Sequence, residues 1–326
     1  MSSLGALQLV LLAGLGFALL SGAIVSALTP AVLARVTPWA PDRRHRALLL
    51  WSLAPLGLGL AGLLAALLPS LVALRWPAHD HCVAHHGHVH LCFLHPPTHA
   101  ANAASWMLLA LAAGWFAVRS AGSLAGLLRA SRVATRLLDP RHDDAALGAR
   151  VLPTETPLCL LVGVVRPAVV VSAGLIAQVS QADLAVMLHH ERAHAMRRDT
   201  LLRLLAGAAT VLLWRPIRAR LLRALTLSAE QSCDEAAGRA VGDRLLVAEV
   251  ILKVERLLQM PAGLAPAAAS FGGDVPARVE ALLEAPRTSG TLSRPLALAA
   301  LATLGLLAAS DPLHHVTESL LGALTH

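Results

Sequence analysis

Charged and aromatic residues are scarce in this chain. Asp, Glu, Lys and Arg make up 14% of the 326 residues, aromatic residues make up 3%, and Tyr is absent. Soluble domains carry about 25% charged residues, so a surface that faces only water is excluded and much of it must contact lipid. Aromatic belts at the membrane boundary are expected to be thin, although five Trp residues lie at or near the ends of apolar runs: Trp39, Trp51, Trp76, Trp106 and Trp115.

Cysteine is also too rare, with four scattered residues, to build a fold that depends on disulfides. We interpret Cys159 and Cys233 as small buried apolar residues. The net charge of +7 comes almost entirely from Arg. These Arg residues cluster beside apolar runs and form no basic domain with stacking aromatics, so direct nucleic-acid binding is not expected.

Four apolar runs are present, and each approaches or exceeds the ~20 residues that cross a bilayer as a helix. They cover residues 4–34, 47–74, 100–118 and 295–310. The first has no basic segment before it and no small-residue cleavage site after it, which favours an anchor over a cleaved signal peptide. The second contains G-x-G-x-x-G at residues 57–62, where an apolar context favours helix packing over dinucleotide binding. The sequence predicts a mainly α, polytopic membrane protein with about four transmembrane helices.

Charge in the intervening loops predicts the orientation. Arg is frequent between the first two runs and after the third, whereas residues 75–99 carry almost no Lys or Arg. By the positive-inside rule, the Arg-rich segments face the cytoplasm of a cell-membrane protein and both termini lie outside. We therefore expect a membrane region at residues 1–118, a cytoplasmic domain at 119–293, and a fourth span with a short external tail at 294–326.

Within the predicted cytoplasmic domain, short apolar or β-branched segments at 151–153, 158–162 and 168–171 indicate a small sheet. Ser180 is a typical N-cap for the next helix. Further helices are predicted at 201–214, 225–241 and 245–258, followed by a linker at 260–276 and a short helix at 278–283.

The segment His190-Glu191-Arg192-Ala193-His194 is the main chemical signal. Residues four apart lie on one face of a helix, so both imidazoles reach one ion, while Glu191 is placed to take a proton from water. A catalytic zinc needs a third protein ligand and an open position, and Glu230 on a later helix is the candidate.

Two further carboxylates have candidate supporting roles. Asp234 lies on the same helix face as Glu230 and is placed to accept a hydrogen bond from a ligand imidazole. Asp199 either orients the end of the His-bearing helix or is an ordinary charged terminus. For Glu230 and Asp234 the alternative is that both are solvated helix residues. Candidate transition-state stabilisers are Arg239 and His189, the latter turned about 100° from its neighbour His190.

These pieces resemble a known family. Residues 188–194 with Arg197-Arg198-Asp199, then Glu230, Cys233-Asp234 and Ala237, and the strand at 163–171, look like antirepressor membrane zinc metallopeptidases of the BlaR/MecR type. The resemblance covers roughly residues 100–285. It implies a minimal-gluzincin α+β peptidase domain on the cytoplasmic face, a protein substrate such as a winged-helix repressor, and self-cleavage. No penicillin-binding sensor domain or S-x-x-K motif follows the last apolar run, so beta-lactam sensing is not implied.

A second metal site is a hypothesis for the external loop at 76–99, which is unusually rich in His and Cys: His79, His81, Cys82, His85, His86, His88, His90, Cys92, His95 and His99. Thiolate and imidazole ligands suit copper or zinc. A disulfide between Cys82 and Cys92, or a merely polar loop, are the alternatives.

Three functions remain open from sequence. The first is a zinc endopeptidase of the antirepressor type that cuts a regulatory protein. The second is a membrane metalloprotease of the heat-shock or prenyl-protein type, and the Cys233-Asp234 pair and residues 163–167 favour the first over it. The third is a non-enzymatic transmembrane metal sensor, which Glu191 disfavours because a structural zinc site has no need of a general base.

Overall fold

The computed structural model describes residues 3–76, 91, 102–137, 143–258, 274–285 and 304–325. The ten His and Cys residues of the predicted external metal loop lie outside these ranges. So do residues 295–303 of the predicted fourth span and most of the predicted linker at 260–276. The hypotheses for those segments stay predictions.

Three long helices dominate the first part of the chain: α1 (Ser3–Val36), α2 (Pro41–Arg75) and α3 (Ala103–Leu137). Leu and Ala, both strong helix formers, fill them. In the described part of the chain, three segments are long and apolar enough to cross a membrane: Leu4–Val36, Pro41–Arg75 and Ala103–Gly122. With 35 residues, α2 is about 52 Å long, which is longer than the about 30 Å thickness of the hydrocarbon core of a bilayer.

Close packing joins α1 to α2, as expected for the G-x-G-x-x-G stretch. A side chain on Gly59 would lie 3.3 Å from Ala18 Cα, and one on Gly62 would lie 2.7 Å from the Phe17 ring. Small residues at such positions let two helices approach closely. The Ser21 hydroxyl also donates to the Pro55 carbonyl at 2.7 Å, which fixes the register of the two helices.

The sheet has four strands in the order β1-β2-β4-β3: β1 (Asp143–Asp144), β2 (Ala149–Leu152), β3 (Cys159–Val162) and β4 (Ala168–Ser172). Strand β2 runs parallel to β4, and the other two pairs are antiparallel. Strand β3 is therefore an edge strand. The sequence did not predict β1, because two Asp residues lack the apolar or alternating pattern of a strand.

Among the described residues, the sheet is followed by α4 (Ala173–Ile176), α5 (Gln181–Arg197), α6 (Asp199–Ala209), α7 (Arg215–Val241), α8 (Arg244–Leu258) and α9 (Val275–Leu283). The Ser180 hydroxyl accepts from the Asp183 amide at 3.1 Å and caps α5 as predicted. Helix α5 ends at Arg197, and the capping residue Arg198 that follows has the left-handed conformation with φ of 56°. A last helix, α10 (Ser310–Thr325), packs against α2 and contains the residues predicted as an external tail.

Two predicted helix boundaries were wrong. The helix expected at 201–214 already ends at Ala209, and the helix expected to begin at residue 225 begins at Arg215. Residues 210–214 form a tight turn, and Pro216 lies in the first turn of α7, where its missing N–H costs no hydrogen bond. Several Arg residues in the first turns of α7 interrupt the apolar pattern, so the pattern did not indicate that this helix begins at Arg215.

This α6–α7 turn lies against the membrane helices. The Trp214 amide donates to Ser26 Oγ at 3.1 Å, and Arg119 Nη2 donates to the carbonyls of Val211 and Leu213 at 2.7 and 2.8 Å. One apolar cluster is shared by α1, α2, α6 and α7: Val25, Val36, Leu48, Ala206, Leu213, Ile217, Leu221 and Leu225. The part of the chain that follows the His190–His194 motif, helices α6 and α7, therefore shares a hydrophobic core with the candidate spans α1 and α2. A second cluster packs the sheet against α5 and α8.

Candidate active site

Two imidazoles and a carboxylate converge between α5 and α7. His190 Nε2 and His194 Nε2 are 3.2 Å apart. Glu230 Oε2 lies 3.5 Å from His190 Nε2, and Glu230 Oε1 lies 3.6 Å from His194 Nε2. All three residues are buried. The structure thus brings together the three residues that the sequence analysis proposed as metal ligands.

Two carboxylates orient these imidazoles. His190 Nδ1 lies 2.9 Å from Asp234 Oδ1, and His194 Nδ1 lies 2.7 Å from Asp199 Oδ2. With each Nδ1–H donating to a carboxylate, the lone pairs of both Nε2 atoms face the same point as the Glu230 oxygens. Carboxylate–histidine pairs of this kind fix the tautomer and the orientation of metal-ligating imidazoles.

The spacing and the charge of this group fit a divalent cation. Ligand atoms about 2.0–2.1 Å from a tetrahedral zinc lie about 3.3–3.4 Å from each other, close to the 3.2–3.6 Å separations found here. Among the described residues, Glu230 Oε2 has no hydrogen-bond partner although it is buried. Nitrogen donors with one carboxylate are a typical ligand set for catalytic zinc.

Charge balance supports the same conclusion. Four buried carboxylates lie at the site, namely Glu191, Asp199, Glu230 and Asp234. Two guanidinium groups contact them, Arg278 on Asp234 and Glu230, and Arg197 on Asp199. A divalent cation supplies the two further positive charges that a buried, hydrogen-bonded site of this kind requires.

The pKa shifts show how strongly the site attracts positive charge. Burial lowers the pKa of His190, but the nearby carboxylates of Asp234 and Glu230 outweigh it and raise that pKa to about 9. Burial raises the pKa of the Glu230 carboxyl, but His190 and His194 outweigh it and hold that pKa well below its usual range. The pKa values of Asp199 and Asp234 are also lowered, against the effect of burial, by hydrogen bonds from His194 and Arg278 respectively.

Cys233 lies close to the site. Its Sγ is 3.7 Å from Asp199 Oδ2, and His194, Asp199 and Cys233 form a second group with the spacing of a metal site. Burial raises the pKa of the Cys233 thiol to about 11. In the protonated state the Cys233 thiol donates to Asp199 Oδ2.

Glu191 lines a cleft of about 250 Å³ beside the converging ligands. Its side chain is buried, and among the described residues its Oε1 atom has no hydrogen-bond partner. Burial raises the pKa of this carboxyl, while His190 and His194 act in the opposite direction. The remaining lining residues are Leu161, His194, Asp199, Thr200, Arg203, Leu204 and Glu230.

A larger groove of about 700 Å³ adjoins this cleft and shares Arg203 and Glu230 with it. Arg220 and Arg223 on α7 also line it, and both are exposed, as is Arg203 on α6. The groove beside the cleft is therefore lined by three guanidinium groups, of which Arg203 also lines the cleft.

The candidate transition-state stabilisers do not line the cleft. The Arg239 side chain is 71% exposed and pairs with Glu235 at 3.6 Å, and His189 is absent from the cleft wall. Their assignment to the site is therefore not supported.

Arg278 is the main residue that the sequence did not reveal. Its side chain is fully buried, with Nε donating to Asp234 Oδ2 at 2.8 Å and Nη2 donating to Oδ1 at 2.6 Å. Its Nη1 lies 3.4 Å from Glu230 Oε2. The one available signal was indirect: two buried carboxylates on α7 require a cationic partner.

A family model described as BlaR1 peptidase M56 matches residues 102–276, more than half of the chain. No curated protein and no solved structure gives a significant match. The matched range contains both motif histidines, Glu191, Asp199, Glu230 and Asp234. It ends just before Arg278 and leaves out α1 and α2, which share a core with the matched part.

Proposed function

Since the chain belongs to the BlaR1 peptidase M56 family and is therefore a membrane metallopeptidase, we propose that it is a zinc-dependent endopeptidase that hydrolyses a protein close to the membrane. One observation carries this proposal: two carboxylate-oriented imidazoles and the Glu230 carboxylate converge beside the buried, cleft-lining Glu191. The burial of Glu191 supports an enzyme over a non-enzymatic metal sensor, because its buried Oε1 atom has no hydrogen-bond partner among the described residues.

His190, His194 and Glu230 would hold the zinc ion. When bound, the ion acts as a Lewis acid toward the scissile carbonyl and acidifies a water molecule. Glu191 takes the proton of the attacking water on its carboxylate and later delivers it to the leaving amine. The elevated pKa of Glu191 suits this exchange, because a carboxyl with a pKa nearer to neutrality both accepts and releases the proton readily.

The surroundings of the cleft suggest how a substrate binds. Leu161 on the edge strand β3 lines the cleft, and an edge strand offers unpaired backbone groups to an extended peptide. The three guanidinium groups of the adjoining groove favour acidic residues on one side of the scissile bond.

The position of the site beside the candidate spans restricts the class of substrate further. The shared core of α1, α2, α6 and α7 holds the site close to the bilayer, and the Arg-rich segment at 35–46 favours the cytoplasmic side. A regulatory protein of the repressor type, or the chain itself, is the substrate we propose.

The test compares three full-length proteins in lipid nanodiscs: wild type, Glu191→Gln, and Glu249→Gln as a matched control on an exposed face of α8. Bound zinc is measured by elemental analysis, and cleavage of the chain itself and of a peptide library by mass spectrometry. We expect about one zinc in each protein and a loss of at least ~100-fold in cleavage for Glu191→Gln alone. A zinc-loaded wild type that cuts nothing, or an equally active Glu191→Gln, would contradict the proposal.

A further inference from the structure

The first turns of the candidate span α2 contact residues that lie next to the carboxylates that orient the motif histidines. We propose that Asp42 on α2 is a positioning residue of the metal site, so that a displacement of α2 changes the geometry of that site. This inference rests on the proposed function and adds a route of regulation to it. It depends on the contacts of three neighbouring residues at the start of α2.

The first series of contacts connects Asp42 to His194 through Arg197 and Asp199. Asp42 Oδ1 accepts from Arg197 Nη1 at 2.9 Å, and Arg197 Nε lies 3.3 Å from Asp199 Oδ2. That same Asp199 oxygen is 2.7 Å from His194 Nδ1. The Arg197 guanidinium is thus held between two carboxylates, one on the membrane helix and one that fixes the His194 imidazole.

His45 packs against Asp199 from the side of α2. It is buried on α2, its Nδ1 lies 3.3 Å from the Leu225 carbonyl, and its Nε2 lies 3.8 Å from Asp199 Oδ1. The last distance indicates packing rather than a direct hydrogen bond. Asp199 is therefore enclosed by α2 on one side and by Arg197 on the other.

The second series of contacts leads from Arg44 toward Glu230 and Asp234. Arg44 Nη2 donates to the Gln231 side-chain oxygen, and Gln231 Nε2 donates to the Ala277 carbonyl at 2.8 Å. Gln231 directly follows Glu230 on α7. Ala277 directly precedes Arg278, whose guanidinium holds Asp234, the partner of His190. Helix α2 is thus linked to both elements that support the other half of the site.

Helix α2 is one continuous helix of 35 residues with Pro55 and Pro69 inside it, so the contacts near its two ends belong to a single element. At the other end of α2, His314 on α10 lies 2.6 Å from the Ala66 carbonyl through its Nδ1. A shift of about 1 Å at Asp42 would take its 2.9 Å contact with Arg197 beyond hydrogen-bond range. The charge that holds Arg197 against Asp199 would then be lost, and His194 would be less firmly oriented.

The experiment measures zinc affinity of the full-length protein in nanodiscs by competition with a chromogenic chelator. Four variants are compared with wild type. Asp199→Asn is the benchmark, with a ~10–100-fold loss of affinity expected for a direct partner of a ligand imidazole. For Asp42→Asn, one step further from the ion, we expect a loss of about 3- to 10-fold. Asp42→Glu keeps the charge and should stay within about twofold of wild type, as should Asp311→Asn, whose side chain is 68% exposed on α10.

The outcomes separate this inference from the proposed function. If Asp199→Asn weakens zinc binding but Asp42→Asn does not, the positioning role of α2 is overturned and the proposed peptidase stands. If Asp42→Glu is as weak as Asp42→Asn, a carboxylate on this side chain does not restore zinc affinity, and the inference also fails. A wild type that binds no zinc would overturn the proposed function, and this inference with it.

Discussion

Replacing Arg278 by Met tests whether the buried charges at the site are balanced as the geometry indicates. The guanidinium is fully buried and makes two short hydrogen bonds to Asp234. Met has a similar reach but no charge, so the variant leaves Asp234 buried without its cation. Breaking a buried ion pair by removing one partner costs about 3–5 kcal/mol.

This loss of folding free energy corresponds to a measurable fall in the melting temperature, Tm. For a domain of this size, about 1 kcal/mol lowers the Tm by roughly 2–4 °C, so Arg278→Met should lower it by about 6–20 °C. The assay is thermal unfolding of the full-length protein in detergent, followed by circular dichroism with and without zinc. The zinc-loaded protein should be less affected, because the ion offsets part of the uncompensated negative charge.

Two controls make the result specific. Arg256→Met removes an exposed guanidinium from α8 and should change the Tm by less than about 2 °C. The double variant Arg278→Met with Asp234→Asn removes both charges and should be less destabilised than the sum of the two single changes. A Tm for Arg278→Met within about 3 °C of wild type would refute the claim that this buried pair is strongly coupled.

Three further predictions concern the metal, the membrane contact and the groove. Zinc affinity should rise from about pH 6 to about pH 9, up to about tenfold per pH unit, because the ion displaces a proton from His190, whose pKa is raised to about 9. Gly22→Val should destabilise the protein by about 1–3 kcal/mol in thermal unfolding, since a Cβ at Gly22 would lie 2.9 Å from Leu212 Cβ. The pair Arg220→Glu and Arg223→Glu should raise the KM for acidic peptides about tenfold more than that for neutral peptides in a cleavage assay.

Each of these three predictions has a control variant or a result that would contradict it. A pH-independent zinc affinity would show that no proton leaves the imidazoles on binding. Gly16→Val is the control for Gly22→Val, because nothing lies within 4 Å of a Cβ at Gly16. Equal KM changes for acidic and neutral peptides would show that the arginines of the groove do not contact the substrate.

The sequence alone predicted the features that depend on local spacing. The long apolar runs predicted the three candidate spans, and the i, i+4 spacing of His190 and His194 placed both imidazoles on one helix face. The family was identified from the same motif and is confirmed. Asp234 was predicted as the partner of a ligand imidazole because it lies one turn from Glu230 on the same helix, and the structure places it 2.9 Å from His190.

Only the tertiary structure decided which distant residues complete the site. Arg278 comes from α9 and Asp42 from α2, and neither has a local pattern that distinguishes it from other charged residues near a helix terminus. Their positions depend on how α2, α7 and α9 pack, which is governed by the shared apolar core and by the need to pair buried charges. Periodicity along the chain records which face of a helix is apolar, but it does not record which other helix covers that face.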